Sequence, residues 1–430
     1  MSSLLRPDLS DYSGASNLAF NEEIKHMMDE GTTIYHFGFG QSPFPVIEVA
    51  VEALKKNAGQ NAYLPVSGIP ALRNEICSFH ARYDGLLNLD PDNVLVGPGS
   101  KELIFLLLNV FNGNVLLLSP SWTTYKPQCL LSRHNPVIIE VHLDNQWKVT
   151  PDKIEQAVTG MEGNKLMILT NPDNPTGAVY SESELRALSD TFRKHKIIVL
   201  SDEIYARLNY KQNHASLVKY YPEGTILCTG MSKWASAGGW RLGYHIYPKE
   251  LSTLKVAVKS AGSHTFSCAP TPMQFAFAQM LKDTDACENY IKHTSRIMAA
   301  VSEFCCRELQ SVGMKLAPPS AGYYVFPDFV VIADKLAKRG VTTCQQMCAL
   351  MLKEASVALM AGGPYYLRPP EELTTRLCFV NFDGTDALDF SRKLGLSEPL
   401  PESFVKDFCL PVHDGILNLK SWVQKQLKDY

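Results

Sequence analysis

Through the middle of the chain, apolar and polar positions fall into alternating blocks. NVLLLS (114–119), VIIEV (137–141), KLMILT (165–170), IIVLSD (197–202), TILCTG (225–230) and RLGYHIY (241–247) are short runs rich in Val, Ile and Leu. Such runs, bounded by turn residues and too short for helices, predict strands buried on both faces. Between them lie segments with the helical period. In ESELRALSDTFRKHK (182–196), Leu185, Leu188 and Phe192 share one face, and Ser181 or Ser183 offers the hydroxyl that caps its start. Residues 99–112 predict a helix opened by Gly-Ser, and its run LIFLLLNVF (103–111) is too short to span a bilayer, so it reads as a buried helix. Strands separated by helices predict an α/β fold, a mostly parallel sheet with helices on both faces.

After about residue 295 the pattern changes to a long helix, a strand at AGYYVFP (321–327), a helix over 343–354, and strands at VALMAGG (357–363) and RLCFVNF (376–382). This predicts a smaller α+β unit over 296–430, beside a large one over 46–295 and an N-terminal segment, 1–45, that packs with the small unit. The tail LNLKSWVQKQL (417–427) reads as helical.

At 430 residues the chain exceeds one typical domain, and its 45% hydrophobic content suits a large core. A net charge of −3 argues against nucleic acid or an anionic membrane as the main partner. MSSLLRPDLSDY lacks the apolar core of a signal peptide, so none is expected. The eleven cysteines are scattered and form no CxxC framework; Cys305 and Cys306 are adjacent, and Cys344 and Cys348 have helical spacing. Buried free thiols in a reducing compartment explain them better than zinc ligation, for which no histidine lies at matching spacing. The expected location is the cytoplasm.

Chemistry concentrates where strands end. TGMSKWASAGGWRLGY (229–244) sets Lys233 after a strand-like run and Arg241 eight residues later among glycines. A lysine with an arginine so spaced suits an aldehyde-bearing phosphate cofactor, though a lysine alone is usually a solvated surface charge. NPDNPTG (171–177) and SDEIY (201–205) likewise follow the apolar runs MILT and IIVL. Asn171, Asn174, Asp202, Tyr205, Ser232 and Lys233 therefore fall at carboxyl ends of strands, the ligand-binding edge of an open parallel sheet.

Nine segments in order, GFGQSPFP (38–45), AYLPVSGIPALR (62–73), GPGSKE (97–102), PSWTTY (120–125), NPDNPTG, SDEIY, SKW…GGWRLGY, AGYYVFP and RLCF (376–379), resemble the class I/II aminotransferases of pyridoxal 5′-phosphate (PLP) fold type I, in their aspartate/aromatic branch. The resemblance implies a large domain with a mostly parallel sheet, a smaller α+β domain, and transfer of an amino group from an L-amino acid to a 2-oxo acid by a ping-pong route. A PLP lyase or cyclising enzyme of the same fold is the alternative. A non-catalytic binding module is disfavoured, since no basic helix-turn-helix segment precedes residue 30 and every catalytic residue type is present.

The same resemblance assigns roles. Lys233 is the amine that joins the cofactor aldehyde and later moves a proton at the substrate Cα. Asp202 keeps the pyridine nitrogen protonated, and Asn174 and Tyr205 hydrogen-bond the ring hydroxyl oxygen, while Asn171 shapes the loop. Gly99, Ser100 and Lys101 offer a helix start to the phosphate, with Ser232 and Arg241 completing the grip; Ser100 as a simple N-cap is the other reading. Trp122 stacks on the ring, or else packs in the core, and Tyr125 lies near. Tyr63 matches the tyrosine that reaches the phosphate of a neighbouring subunit, which implies a homodimer with shared active sites.

Arg376 matches the arginine that clamps the substrate α-carboxylate, where the Gly40 N–H also points, and Trp122 and Asn174 border the substrate. No metal is implied. Two segments depart from the family's commoner forms: Gln41, Ser42 and Pro43 replace the middle of GEPDFP, and AGGPYY (361–366) replaces PGSAFG. Tyr323, Tyr324, Tyr365 and Tyr366 are expected to line the entrance, which permits an aromatic substrate, and no motif marks a second cation for a dicarboxylate.

Overall fold

The computed structural model describes residues 4, 6 and 16–428, so most of the MSSLLRPDLSDY stretch, and with it part of the 1–45 segment, lies outside the described residues. Twelve strands form three sheets: β1 (Tyr35–His36), β2 (Val94–Gly97), β3 (Asn114–Ser119), β4 (Val137–Glu140), β5 (Lys165–Thr170), β6 (Ile197–Asp202), β7 (Thr225–Gly230), β8 (Gly243–Ile246), β9 (Tyr324–Val325), β10 (Val357–Ala358), β11 (Met360–Ala361) and β12 (Thr375–Cys378). The largest sheet has the order β2-β8-β7-β6-β5-β3-β4. It is parallel from β4 to β7, and β8 pairs antiparallel with both β7 and β2. RLGYHIY is thus the turned strand of a mostly parallel sheet.

Continuous apolar runs form these central strands because both faces are covered. Leu166 and Ile168 of β5 pack in one core with Leu103 and Leu107 from the helix Ser100–Val110. Met167 and Leu169 pack in the opposite core with Leu185, Leu188 and Phe192 from the helix Glu182–Lys194. Alternate side chains of one strand thereby hold helices on opposite faces.

The carboxyl ends of β5 and β6 are level, with Thr170 opposite Asp202 and Asp202 opposite Cys228. The chain steps from β3 out to β4 and returns to β5 on the other side of β3. Loops after β3 and β5 therefore diverge and open a crevice at that edge.

The smaller sheets use the C-terminal part. β11, β12 and β9 are antiparallel, and β1 pairs parallel with β10. The AGYYVFP strand is shorter than its apolar pattern suggests, only Tyr324–Val325, because the flanking residues turn away to bury Tyr323 and Phe326. The long helix spans Thr284–Gln310, so a division at 295 falls inside it. The terminal helix starts at Leu410 and runs to Lys428, burying Val412, Ile416, Leu419 and Val423 at helical spacing. All eleven cysteines are free thiols, nine of them buried. No helix among the described residues is long and apolar enough to cross a membrane.

Ser181, not Ser183, caps the helix Glu182–Lys194. Its hydroxyl accepts from the Glu184 N–H, and the Glu184 carboxylate accepts from the Ser181 N–H at 2.7 Å. Ser181→Ala should lower the unfolding free energy by about 1 kcal/mol while leaving turnover at the wild-type value, as read by denaturant melts and steady-state rates.

Candidate active site

Much of the crevice is built at strand ends and one helix start. β6 delivers Asp202, β7 is followed by Ser232 and Lys233, β5 by Asn174, and β3 by Trp122 and Tyr125, around a cavity of about 460 Å³. Gly40, Ser100, Lys101, Tyr205, Arg241 and Arg376 line it too. The structure brings together all the candidate residues except Gly99, which stands just behind Arg241, and Tyr63, which is 89% exposed and lies outside this cavity.

Lys233 is half-buried in the cavity wall. Its Nζ donates to the Gly40 carbonyl at 3.0 Å and lies over the Tyr205 and Tyr323 rings. Burial lowers its pKa to about 8, with Arg376 and Arg241 pushing the same way against the weaker pull of Asp202. An amine of this kind is partly free base near neutrality, as a nucleophile or proton carrier requires.

Asp202 is buried, and burial raises its pKa to about 6. The Tyr125 hydroxyl donates to its Oδ2 at 2.7 Å, the Ile204 N–H donates to Oδ1 at 3.2 Å, and no cation lies within ion-pair distance among the described residues. Thr170 Oγ1, 2.9 Å from the Tyr125 oxygen, supplies the hydroxyl hydrogen that Tyr125 then accepts. A carboxylate so fixed is set to meet a cationic N–H. Glu203, the next residue, has the opposite fate: Ser201, Ser216, the Leu217 N–H and His214 all hydrogen-bond it away from the cavity.

Asn174 donates to the Tyr205 hydroxyl at 3.4 Å while its buried Oδ1 has no partner. Tyr205 in turn shares a 2.9 Å hydrogen bond with Tyr324. Trp122 stands edge-on to Tyr125, with the Lys101 ammonium over its ring.

One end of the cavity is an anion cradle. Gly99 occupies the N-cap of the helix Ser100–Val110 with φ +94°, and a Cβ there would strike the Arg241 guanidinium. Only glycine meets both conditions. Ser100 is accordingly the first helical residue, not its cap. Arg241 uses its donors on the carbonyls of Gly238 and Pro98, and Lys101 has its pKa lowered by burial and then by Arg241. At the other end Arg376 is 1% exposed, donates to the Gly38 carbonyl, touches Met360 Sδ at 3.3 Å and lies over the Tyr324 and Tyr366 rings. Its Nε has no partner, and no carboxylate among the described residues pairs with it. Four cationic side chains and one carboxylate line the cavity. Such a balance favours ligands carrying several negative charges.

The entrance differs from the expectation for four tyrosines. Tyr323 and Tyr366 are buried and Tyr365 borders a separate outer cavity, so of the four only Tyr324 lines this one. Tyr323 lies under the Lys233 ammonium and Tyr324 and Tyr366 under the Arg376 guanidinium, so these rings form no aromatic mouth. Sequence reasoning passed over Leu18 and Phe39 in the wall and underrated Tyr125, whose signal was its place one helical turn after Trp122. Asn171 shapes its loop as expected, donating to the Ala215 carbonyl and accepting from the Tyr180 N–H. No group of metal-ligating side chains is present among the described residues.

The family model described as aminotransferase class I and II matches residues 32–387. Among curated relatives, an aspartate aminotransferase of Geobacillus stearothermophilus is 30% identical, covering 82% of this chain and 89% of the relative. An aspartate/prephenate aminotransferase of Thermus thermophilus is 27% identical over 76% of this chain and 86% of its own. The crystal structure of a Thermus thermophilus aspartate aminotransferase with maleate superposes with a TM-score of 0.80 at 25% identity, covering 91% of this chain and 98% of that one.

The depressed lysine pKa has a measurable sign. Because Lys233 binds its proton less tightly in the fold (about 8) than its ordinary 10.5, its contribution to stability is unfavourable below about pH 8 and improves as pH rises through that interval. Modification of Lys233 by an amine reagent, followed by peptide mass spectrometry, should show a midpoint near 8. Arg376→Leu should move that midpoint upward, and a midpoint at the ordinary lysine value would contradict the assignment.

Proposed function

The chain belongs to the class I and II aminotransferase family, and on that premise we propose that it moves the amino group of a dicarboxylic L-amino acid to a 2-oxo acid with pyridoxal 5′-phosphate as its cofactor. That it is an enzyme of amino-group transfer follows from the family; donor, cofactor and residue roles are our reading. The observation that carries them is the cavity's charge, four cations against one buried carboxylate, with Lys233 partly deprotonated between them.

The residues present suit that cofactor. Among the described residues Asn174 Oδ1 is buried without a partner, Asp202 is a buried carboxylate that no cation ion-pairs, and Arg241 and Lys101 flank the start of the helix Ser100–Val110. When bound, the cofactor supplies an aldehyde that takes up the amino group and a protonated ring that withdraws electrons from the substrate Cα. Asp202, oriented by Tyr125 and the Ile204 N–H, holds the proton on the ring nitrogen, and charge-assisted hydrogen bonds of that kind contribute roughly 1.5–3 kcal/mol. Asn174 and Tyr205 hold the ring hydroxyl oxygen. Ser100, Ser232, Arg241 and the helix start hold the phosphate, for which Gly99 leaves room. Trp122 covers the ring face.

Once its amine is free, Lys233 Nζ takes the proton from the substrate Cα and returns it to the acceptor carbon, the two moves that define transamination. Arg376 and the Gly40 N–H hold the α-carboxylate, and stacking of the guanidinium on Tyr324 and Tyr366 fixes its plane for two-point contact. Lys101 is the remaining cation, and we assign it to the distal carboxylate in addition to the cofactor end. The names of the aspartate aminotransferases agree with that assignment, and neither they nor the charge favours a lyase or cyclising reaction.

Tyr63, 89% exposed, is proposed to reach the phosphate of a second copy in a homodimer. Eleven unpaired thiols support a cytoplasmic location, and the net charge of −3 supports a protein without nucleic-acid or membrane partners. The domain division 1–45, 46–295 and 296–430 stays a proposal, its second boundary best moved to the start of the Thr284–Gln310 helix.

Lys233→Ala should abolish turnover and leave no cofactor fixed to the chain by borohydride, as seen by mass spectrometry. Arg376→Lys should raise KM for every amino acid tested, and Lys101→Ser, assayed at saturating pyridoxal 5′-phosphate, only for aspartate and glutamate; an effect of Arg376→Lys confined to those two would reverse the roles. Tyr63→Phe should weaken cofactor retention in a protein that sediments as a dimer.

A further inference from the structure

The α-carboxylate site is held from behind by a histidine that no part of the reaction uses. Gly38 is the pivot: its carbonyl accepts from Arg376 Nη2, and its N–H donates to His36 Nδ1 at 3.4 Å. His36 Nε2 lies 2.9 Å from Asn21 Oδ1 on the helix Ser16–Asp29. Since the asparagine oxygen only accepts, Nε2 carries the hydrogen and Nδ1 is the acceptor that Gly38 needs. Both contacts require the neutral ring with this one tautomer. Burial, and then the nearby Arg376, lower the His36 pKa to about 4 and keep the ring neutral.

The helix on the far side of this chain of contacts borders the substrate. Leu18 lines the cavity, and Phe20 lies against the His36 ring and so close over Gly38 that a Cβ there would strike it. Of the helix's described side chains only Ile24 is buried, in a small cluster with Ile34 and Ala358 against which Phe20 and Met27 also pack. The partly buried His36–Asn21 hydrogen bond adds to these few contacts in seating it.

We infer that His36 is a positioning residue for the substrate α-carboxylate: it orients the Gly38 backbone that holds Arg376 and ties it to the helix that puts Leu18 in the cavity wall. The inference rests on the reading of Arg376 given above. It makes helix seating and carboxylate affinity one linked quantity, transmitted through two hydrogen bonds on one imidazole.

The test uses the holoenzyme and maleate, an unreactive dicarboxylate, titrated calorimetrically. His36→Leu should weaken maleate by about five-fold or more, the equivalent of one net hydrogen bond, and raise KM for amino acids while kcat stays within about two-fold. Asn21→Leu, which leaves His36 and Arg376 intact, should shift maleate in the same direction and should speed amide hydrogen exchange over residues 18–29. In an Arg376→Leu background, His36→Leu should add no further loss, because the carboxylate no longer reads the Gly38 backbone. Unchanged maleate affinity in both His36→Leu and Asn21→Leu, or a loss that adds in full to that of Arg376→Leu, would overturn the inference. If His36→Leu does not fold, Asn21→Leu decides by the same criterion. Wild-type maleate binding by Arg376→Leu alone would instead remove the reading of Arg376, a result separable from the failure of His36.

Discussion

Positive charge gathered around a single carboxylate in one cavity is the constraint around which this protein is arranged. Lys101, Lys233, Arg241 and Arg376 share one cavity with a single carboxylate, and their mutual repulsion is least screened at Arg376, the one of the four that is fully buried. The protein tolerates it by local means. Aromatic rings cover Lys101, Lys233 and Arg376, backbone carbonyls accept from Lys233, Arg241 and Arg376, and the amine of Lys233 gives up part of its protonation. The large sheet supplies the stiffness. Strands covered on both faces cannot shift to relax the cations, so the unfavourable energy stays available for anionic ligands to relieve.

Much of this was legible in the sequence for a physical reason. Strands buried on both faces are written as continuous apolar runs, and the polar residue that ends such a run sits at the sheet's edge; that is how Asn174, Asp202 and Lys233 could be read. The helix Glu182–Lys194 was legible through its period and its capping serine. Contacts made across long sequence distances were not. Tyr125 reaches Asp202 over 77 positions, and a tyrosine at the first position of a helix does not by itself mark that use. The tyrosines at 323–324 and 365–366 resembled an entrance because paired aromatics often are one. Here Tyr323, Tyr324 and Tyr366 are buried, since the guanidinium and ammonium groups they cover come from elsewhere in the chain, and Tyr365 is exposed beside another cavity. Gly99 was readable as part of a phosphate loop, whereas its exclusion of any side chain beside Arg241 became visible only in three dimensions.

The two ends of the cavity differ in how they are built. The anion cradle consists of backbone and of residues close together on one edge of the sheet. The Arg376 end is assembled from separate pieces: the loop carrying Gly38, the strand β12, Met360 and the N-terminal helix. A cofactor that stays with the protein suits the first kind of construction. A substrate that enters and leaves at each half-reaction suits the second, in which the parts are individually light and joined by few contacts.

Asp202 and Glu203 give the sheet a further meaning. Successive carboxylates at the end of β6 have opposite surroundings, one facing the cavity and the other enclosed by His214 and two serines. Because side chains alternate along a strand, a slip of one residue in β6 would exchange their addresses, sending a longer acid into the cavity and leaving the inner hydrogen-bond donors with a shorter one. β6 is paired on both sides, to β5 and to β7, with Asp202 itself in register with Thr170 and Cys228. Strand registration, ordinarily a matter of folding, is in this protein also what decides which of two neighbouring acids faces the cavity.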